Sequence, residues 1–367
     1  MFHAVTTCDT PLMRVNPTRL RHTALWQSLA RTLGVVVAVS LSWPAEALPC
    51  PGPALRIEAV APGVWWIPGA AGEANAANRG AISNALAVRD GPRLWLLGSG
   101  PTAAHGRALG CRLRRLTGRP VSDVIAPWAR PELVLGQAGL RAPRHWAHAD
   151  VASAMRERCT RCIERLRRRL GEAASDLETA KAPIPQRLLQ GAAGRLGPWR
   201  WWRLDRGADT AVTVWWLPRA GLASAHGLLW ADGAPDLRDS VVSRFAHSLR
   251  ALGDLERDTL LASHRTGRMG SAGRAADTPT VTLRWLPEQG GWLTAGAPGR
   301  ELAHVQALQQ AVQAAIARGA VETDPPPPLA AVWPDAPPPD GSDLRQGLNW
   351  QRAWREAEQD SFAPAAR

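Results

Sequence analysis

VSDVIAPWARPELVLG, residues 121–136, is the stretch on which the reading of this chain turns. Val121, Val124 and Ile125 form a short apolar, β-branched run, Pro127 and Pro131 break it, and Gly136 closes the segment. That pattern predicts a buried strand followed by a tight loop. A loop at a strand end is a usual seat of chemistry, and this one has the frame of a metal-binding loop. Where imidazoles are expected, however, it carries Trp128, Arg130 and Leu133, with Glu132 as its one carboxylate.

Working outward, "LRIEAVAPGVWWIPG" (55–69) predicts two strands about the "APG" turn, and "AISNALAV", "RDGP" and "RLWLLG" predict a second hairpin. "GPTAAHGRALGCRLRRLTG" then reads as a helix, residues 149–180 as a strongly basic helix, and "PWRWWRLD", "TAVTVWWLP" and "GLASAHGLLW" as three strands. "DSVVSRFAHSLRALGDL" reads as a helix capped by Asp239 or Ser240, and "DTLLASH" as a strand ending in His264. Hairpins that give way to alternating strands and helices imply an α/β fold, a layered sandwich rather than a doubly wound sheet. A helix at 299–318 follows. Proline runs stiffen the next connection, and Trp350, Ala353, Trp354 and Ala357 give the last helix an apolar stripe that should dock on the body.

The chain has 367 residues, of which 45% are hydrophobic, enough for a substantial core. Its 33 Gly and 31 Pro argue for many turns. Arg14, Arg19, Arg21 and Arg31, the apolar "LGVVVAVSLSW" and the small-x-small "AEA" (45–47) predict a Sec-type export signal, cleaved near Ala47 from a start at Met1 or Met13. The apolar run is short of the ~20 residues a membrane span needs, so a periplasmic or secreted protein without a span is expected. The expected divisions are 1–47 signal, 48–298 main domain, 299–324 C-terminal helix, 325–341 Pro-rich linker and 342–367 amphipathic tail.

The formal net charge is +12. Nearly all of it is arginine beside a single lysine, Lys181, and Tyr is absent while Trp numbers 18, a bias that composition alone explains. The basic helix carries Arg156, Arg158, Arg161, Arg165, Arg167, Arg168 and Arg169. Without interleaved exposed aromatics, and on an exported chain, a solvated face or an acidic protein partner fits better than nucleic acid. Cys50, Cys111, Cys159 and Cys162 allow two disulfides in three connectivities. Cys159 and Cys162 share helical spacing with Met155, Leu166 and Leu170, which favours structural thiols or a structural bridge over a redox pair. His145 and His148 precede the basic helix, and His105 and His247 read as helix-surface residues. In "DLRDS", Asp236 and Asp239 flank Arg238, a loop ion pair more than an acid–base pair.

The order of "VAPGVWWIPG", "NRGAISNALAV", "LWLLGSGPTAAHG", "VSDVIAPWARPELVLG", "GLLWADGAPDLRDS" and "LLASHRTG" resembles the metallo-β-lactamase fold. With the tail "LNWQRAWREAE" it resembles the exported quinoprotein relay metallohydrolases, over roughly residues 55–358. The resemblance implies a four-layer αββα sandwich. It places Trp128, Arg130 and Leu133 where that family has histidines, Glu132 at an aspartate, Gly98 and Gly227 at further aspartates, and no histidine near 206–209. Only His264 stands intact at a ligand position. Zinc takes about four N, S or O donors; Trp and Leu offer none and Arg is a permanent cation. A two-zinc centre is therefore not expected, and no cofactor is. Expected instead is a non-catalytic accessory or binding protein of a periplasmic quinoprotein (pyrroloquinoline-quinone-dependent) alcohol-oxidation system. Its partner would be the dehydrogenase or its cytochrome, or a small anionic ligand in the old cavity. The alternative is a zinc-dependent hydrolase of an ester, thioester or lactone with its metal moved to Glu132, His226 and His264.

Overall fold

The computed structural model describes residues 50–141, 144–207, 210–269, 283–334 and 342–362. The expected signal (1–47) and residues 335–341 of the expected linker lie outside them. Strands β1 (Glu58–Ala61), β2 (Val64–Ile67), β3 (Ala85–Asp90) and β4 (Arg93–Leu97) form an antiparallel meander. Helix α1 (Ala103–Thr117) crosses to β5 (Asp123–Ile125), parallel to β4. The short α2 (Pro131–Val134), β6 (Arg144–His148), α3 (Ala149–Leu170) and β7 (Arg187–Leu189) complete a seven-stranded sheet in the order β1 to β7. The second sheet holds β8 (Ala193–Leu196), β9 (Trp199–Gly207), β10 (Thr210–Leu217), β11 (Leu222–Ser224), β12 (Arg284–Leu286) and β13 (Leu293–Thr294), in the order 13-12-11-10-9-8. Helix α4 (Val242–Met269) lies between β11 and β12, and α5 (Ala297–Ala317), α6 (Leu329–Val332) and α7 (Ser342–Phe362) close the chain.

Alternation along the strands sorts side chains into layers. In β4, Trp95 and Leu97 face the second sheet, where they meet Trp199, Trp201, Trp215 and Leu217. Leu94 and Leu96 face the other way, against Leu109 and Leu113 of α1. In β10, Val212 and Val214 turn from the inter-sheet layer toward Phe245 and Leu249 of α4 and Val305 and Leu308 of α5. The result is helix, sheet, sheet, helix: a four-layer α/β sandwich. Several of the tryptophans are the filler between its sheets, the five-residue β4 being buried on both faces.

Helix α1 starts where the Thr102 hydroxyl accepts the His105 amide at 3.1 Å and ends at Gly118. A disulfide joins Cys50 to Cys111 and ties the first described segment to α1, while Cys159 and Cys162 are free thiols. Trp350, Ala353 and Trp354 of α7 pack into the same cluster as α4 and α5. No helix among the described residues is long and apolar enough to cross a membrane.

Four local expectations are corrected. "DTLLASH" is the continuation of α4, not a strand: helical apolar spacing runs on through Leu249 and Leu252, and no proline interrupts it. "GLASAHGLLW" is a strand only over Leu222–Ser224, because the chain turns at Ala225, whose carbonyl accepts the amides of Leu228 and Leu229. Neither Asp239 nor Ser240 caps α4. The Glu356 carboxylate of α7 does so, accepting the amides of Val242 at 2.6 Å and Ser243 at 2.9 Å. His105, expected on the surface, is 7% exposed, whereas His247 is exposed.

Candidate functional site

The 127–136 loop leaves the end of β5 and is clipped to the second sheet. The Thr213 amide and hydroxyl both donate to the Pro127 carbonyl, and Trp128 bridges to Val212. The clip fixes Trp128 over β10 and its neighbours. Its ring meets Trp230 edge to face at 6.4 Å, with the Arg206 guanidinium carbon 4.3 Å and that of Arg130 5.1 Å from its centroid.

Two of the positions that the resemblance assigned to aspartates are filled by side chains from this loop. Gly98 has φ +76°, and a Cβ there would lie 2.7 Å from Leu133 Cδ1. Gly227 has φ +77°, and its Cβ would meet Val212 at 2.9 Å and the Trp128 ring at 3.0 Å. Glycine at each place admits the bulky neighbour, and the left-handed backbone disfavours any other residue. Trp128 and Leu133 thus occupy, as packed apolar groups, the space that ligands would share.

Arg130 lies deeper and is buried in a cage of carboxylates. Its Nε is 3.3 Å from Glu132 and 3.9 Å from Glu288, and its Nη1 is 3.8 Å from Asp236. Burial works against the charge. Glu132, Glu288, Asp236 and Glu73 together outweigh it and hold Arg130 above the ordinary guanidinium range. Asp236 shows the reciprocal effect: burial would raise it, but hydrogen bonds from Arg238 and the charges of Arg238, Arg130 and Arg206 keep it well below the carboxylate range. Arg238 clamps Asp236 through Nε at 2.8 Å, the expected loop ion pair. Arg206 donates to the Asp236 carbonyl and is pushed down to about 10, mainly by burial. A second tier surrounds Glu73, which takes Arg345 of α7 at 2.9 Å and Arg169 of α3 at 3.0 Å.

Two members of the relocated metal set, His226 and Glu132, are engaged by protein groups. His226 is fully buried, and both its ring nitrogens are engaged. The Asn84 carbonyl can only accept, so Nε2–H donates to it at 2.8 Å, and Nδ1 accepts the Ser224 hydroxyl at 2.6 Å. Burial lowers its pKa, so this neutral imidazole has no lone pair to offer. Glu132 is held by Arg130. Position 264 is in α4, about 28 Å along the axis from Phe245, given the helical rise; its side chain is outside the described residues. Among the described residues no three His, Cys, Asp or Glu side chains are placed to hold a metal ion. Of that set, the two described side chains, Glu132 and His226, are thus committed to protein partners.

Sequence reasoning named Trp128, Arg130, Glu132, Leu133, Gly227 and His264 as one cavity; the structure sets Trp128, Arg130 and Glu132 on a common cleft, but packs Leu133 at Gly98 and Gly227 under Trp128. It missed Arg206, Glu73, Glu288 and Arg345, which reach the cage from other elements. Only the burial-prone context of Arg206, in a Trp-rich strand, could have signalled any of them. Above the cage opens a cleft of about 460 Å3 between the loop, β10, Arg238 and the arginine-bearing face of α3. Cys162 lines it. Burial raises the pKa of both thiols, that of Cys159 to about 12, so neither is a poised nucleophile.

No family model matches the chain, and no curated protein does. Among solved structures it is similar to the metallo-β-lactamase FIM-1 from Pseudomonas aeruginosa in its mono-zinc form, with TM-score 0.49 and 14% identity over 69% of this chain and 95% of that one. It is also similar to metallo-β-lactamases from Erythrobacter litoralis (0.49, 16%, 69% and 96%) and Hirschia baltica (0.49, 10%, 69% and 98%).

Proposed function

We propose that this chain is an exported, non-catalytic binding protein built on a hydrolase-like scaffold, and that it serves as an accessory of a periplasmic quinoprotein alcohol-oxidation system. The observation that carries the first half is Arg130, a guanidinium standing where a metal ligand would be, buried among Glu132, Asp236 and Glu288. A fixed organic cation there neutralises the carboxylates and supplies neither a Lewis-acidic vacancy nor a bound hydroxide. The cleft above it is left for recognition of a small anion. The second half rests on the likeness of "LNWQRAWREAE" to the relay-hydrolase tail. It makes the quinoprotein dehydrogenase or its cytochrome the expected partner.

The test is zinc per chain, measured on protein purified from the periplasm without chelator, together with turnover of ester, thioester, lactone and β-lactam substrates. Less than about a tenth of an equivalent is expected, since dedicated sites fill near stoichiometrically, and no turnover. One or two equivalents, with hydrolysis that depends on Glu132 or His264, would replace this reading with the metal-dependent hydrolase. Failure to co-purify with either the dehydrogenase or its cytochrome would remove the accessory role.

A further inference from the structure

We infer that the cleft is a binding site for a small organic dianion, its two anionic groups separated by about one helical turn. This rests on the reading of the cleft as a recognition site and adds the ligand's class. Arg158, Arg161, Arg165 and Arg169 recur along α3 at steps of three, four and four, so all four line the same wall of the cleft. Arg169 is committed to Glu73 at 3.0 Å. Arg161 and Arg165 are exposed and pair with no carboxylate among the described residues; the Arg165 guanidinium touches only the Cys162 sulfur, at 3.5 Å. Residues four apart on a helix stand roughly 5–6 Å from one another. Two forked cations at that spacing match a pair of carboxylates or a diphosphate, each gripped bidentately. A monoanion satisfies one fork and leaves the other in water.

The floor is charge-balanced, Arg130 lying among Glu132, Asp236 and Glu288, so the attraction for an anion comes from the α3 wall. Trp128, Pro131 and Ala211 give an apolar footing. The exposed carboxylate of Asp239 also lines the cleft, near enough to Cys162 of α3 to raise its pKa, and leaves the Arg161 and Arg165 forks as cations without a carboxylate among the described residues. The volume of about 460 Å3 is that of a small-molecule site rather than a macromolecular groove.

The experiment is calorimetric titration of the mature chain with succinate, inorganic pyrophosphate and acetate at low salt. Comparison is with R161Q/R165Q and with R156Q/R168Q, which removes two exposed charges of α3 that do not line the cleft. Saturable binding of succinate or pyrophosphate is expected, at least about tenfold tighter than acetate. R161Q/R165Q should weaken it by about tenfold or more, and R156Q/R168Q by no more than about twofold. Succinate without pyrophosphate assigns a carboxylate ligand, and the reverse a phosphate. Absence of saturable binding by both, equal affinity for acetate, or equal losses in the two double variants would overturn the inference. Zinc content and hydrolysis are read on the same sample. A metal-free, inert protein that binds neither dianion fails the ligand class alone, whereas a zinc-loaded, hydrolytic one fails the reading beneath it.

Discussion

At the scale of single residues, the loop is defined by what each side chain excludes. Arg130 holds three carboxylates that would otherwise repel one another in a dry interior, so Arg130→Met should destabilise the fold by about 3–5 kcal/mol, the usual cost of stranding buried charges. Arg130→Lys should recover little of this, because an ammonium lacks the planar fork that faces Glu132, Glu288 and Asp236 together. Urea unfolding measures both, and wild-type stability in the Met variant would contradict the cage. Gly227 is the second test. An Asp side chain there meets both a left-handed backbone and the Trp128 ring at 3.0 Å. Gly227→Asp should lose more than about 1 kcal/mol from the backbone term alone, and trimming Trp128 should not restore that part. A carboxylate introduced at this position is thus expected to cost stability, and a Gly227→Asp variant as stable as the parent would refute this.

At the scale of elements, α4 and α7 depend on one another. The first amides of α4 have no intrahelical acceptors, and Glu356 of α7 satisfies two of them with a charged group at the favourable end of the helix dipole. Glu356→Ala should cost about 1–2 kcal/mol. It should also speed hydrogen exchange at Val242 and Ser243 while leaving the amides of α1 protected. Uniform loss of protection across the protein would mean that α7 acts only through its packed face of Trp350 and Trp354. The tail helix is thereby joined to the site's tier as well, because Arg345, on the same helix, donates to Glu73 and to Gln289.

For the whole molecule, buried imidazoles set the response to acid. Burial pushes His105 and His304 down to about 4 from an ordinary 6.5, the latter ring stacked on Trp333. Both are neutral in the fold and protonate in the unfolded chain once the pH is below 6.5. The unfolded state therefore takes up protons that the native state refuses, and stability that is complete above pH 6.5 is lost as the pH falls toward 4. With both titrating, these two contribute at most about 2.7 kcal/mol per pH unit, and His226 and His145, also lowered by burial, add in the same direction. Replacing either by Gln should remove about half of the contribution of this pair, as read from unfolding midpoints between pH 7 and 4. A flat profile in the parent would show that these rings are hydrated. The paired carboxylates, Asp236 foremost, add their own loss only below their unfolded values near 4.

Legible in the chain alone were the opening hairpins, the crossover helix, and the absence of imidazoles from the 127–136 loop. Each of these is encoded within a few residues, as a periodic pattern or a missing side-chain type. Where the local signal was ambiguous it misled: an apolar stretch beyond Leu252 suits strand or helix, and continuity with α4 decided for helix. How the site is neutralised depends on pairings between distant segments. Glu73 and Arg345, paired at 2.9 Å, are 272 positions apart, and Glu288 and Arg206 reach Arg130's cage from other elements. Nor could the sequence reveal that Gly98 and Gly227 are glycine because Leu133 and Trp128 fill their space. Steric fit and charge balance between distant segments leave no periodic mark on the chain; they exist only once the two sheets have closed on each other.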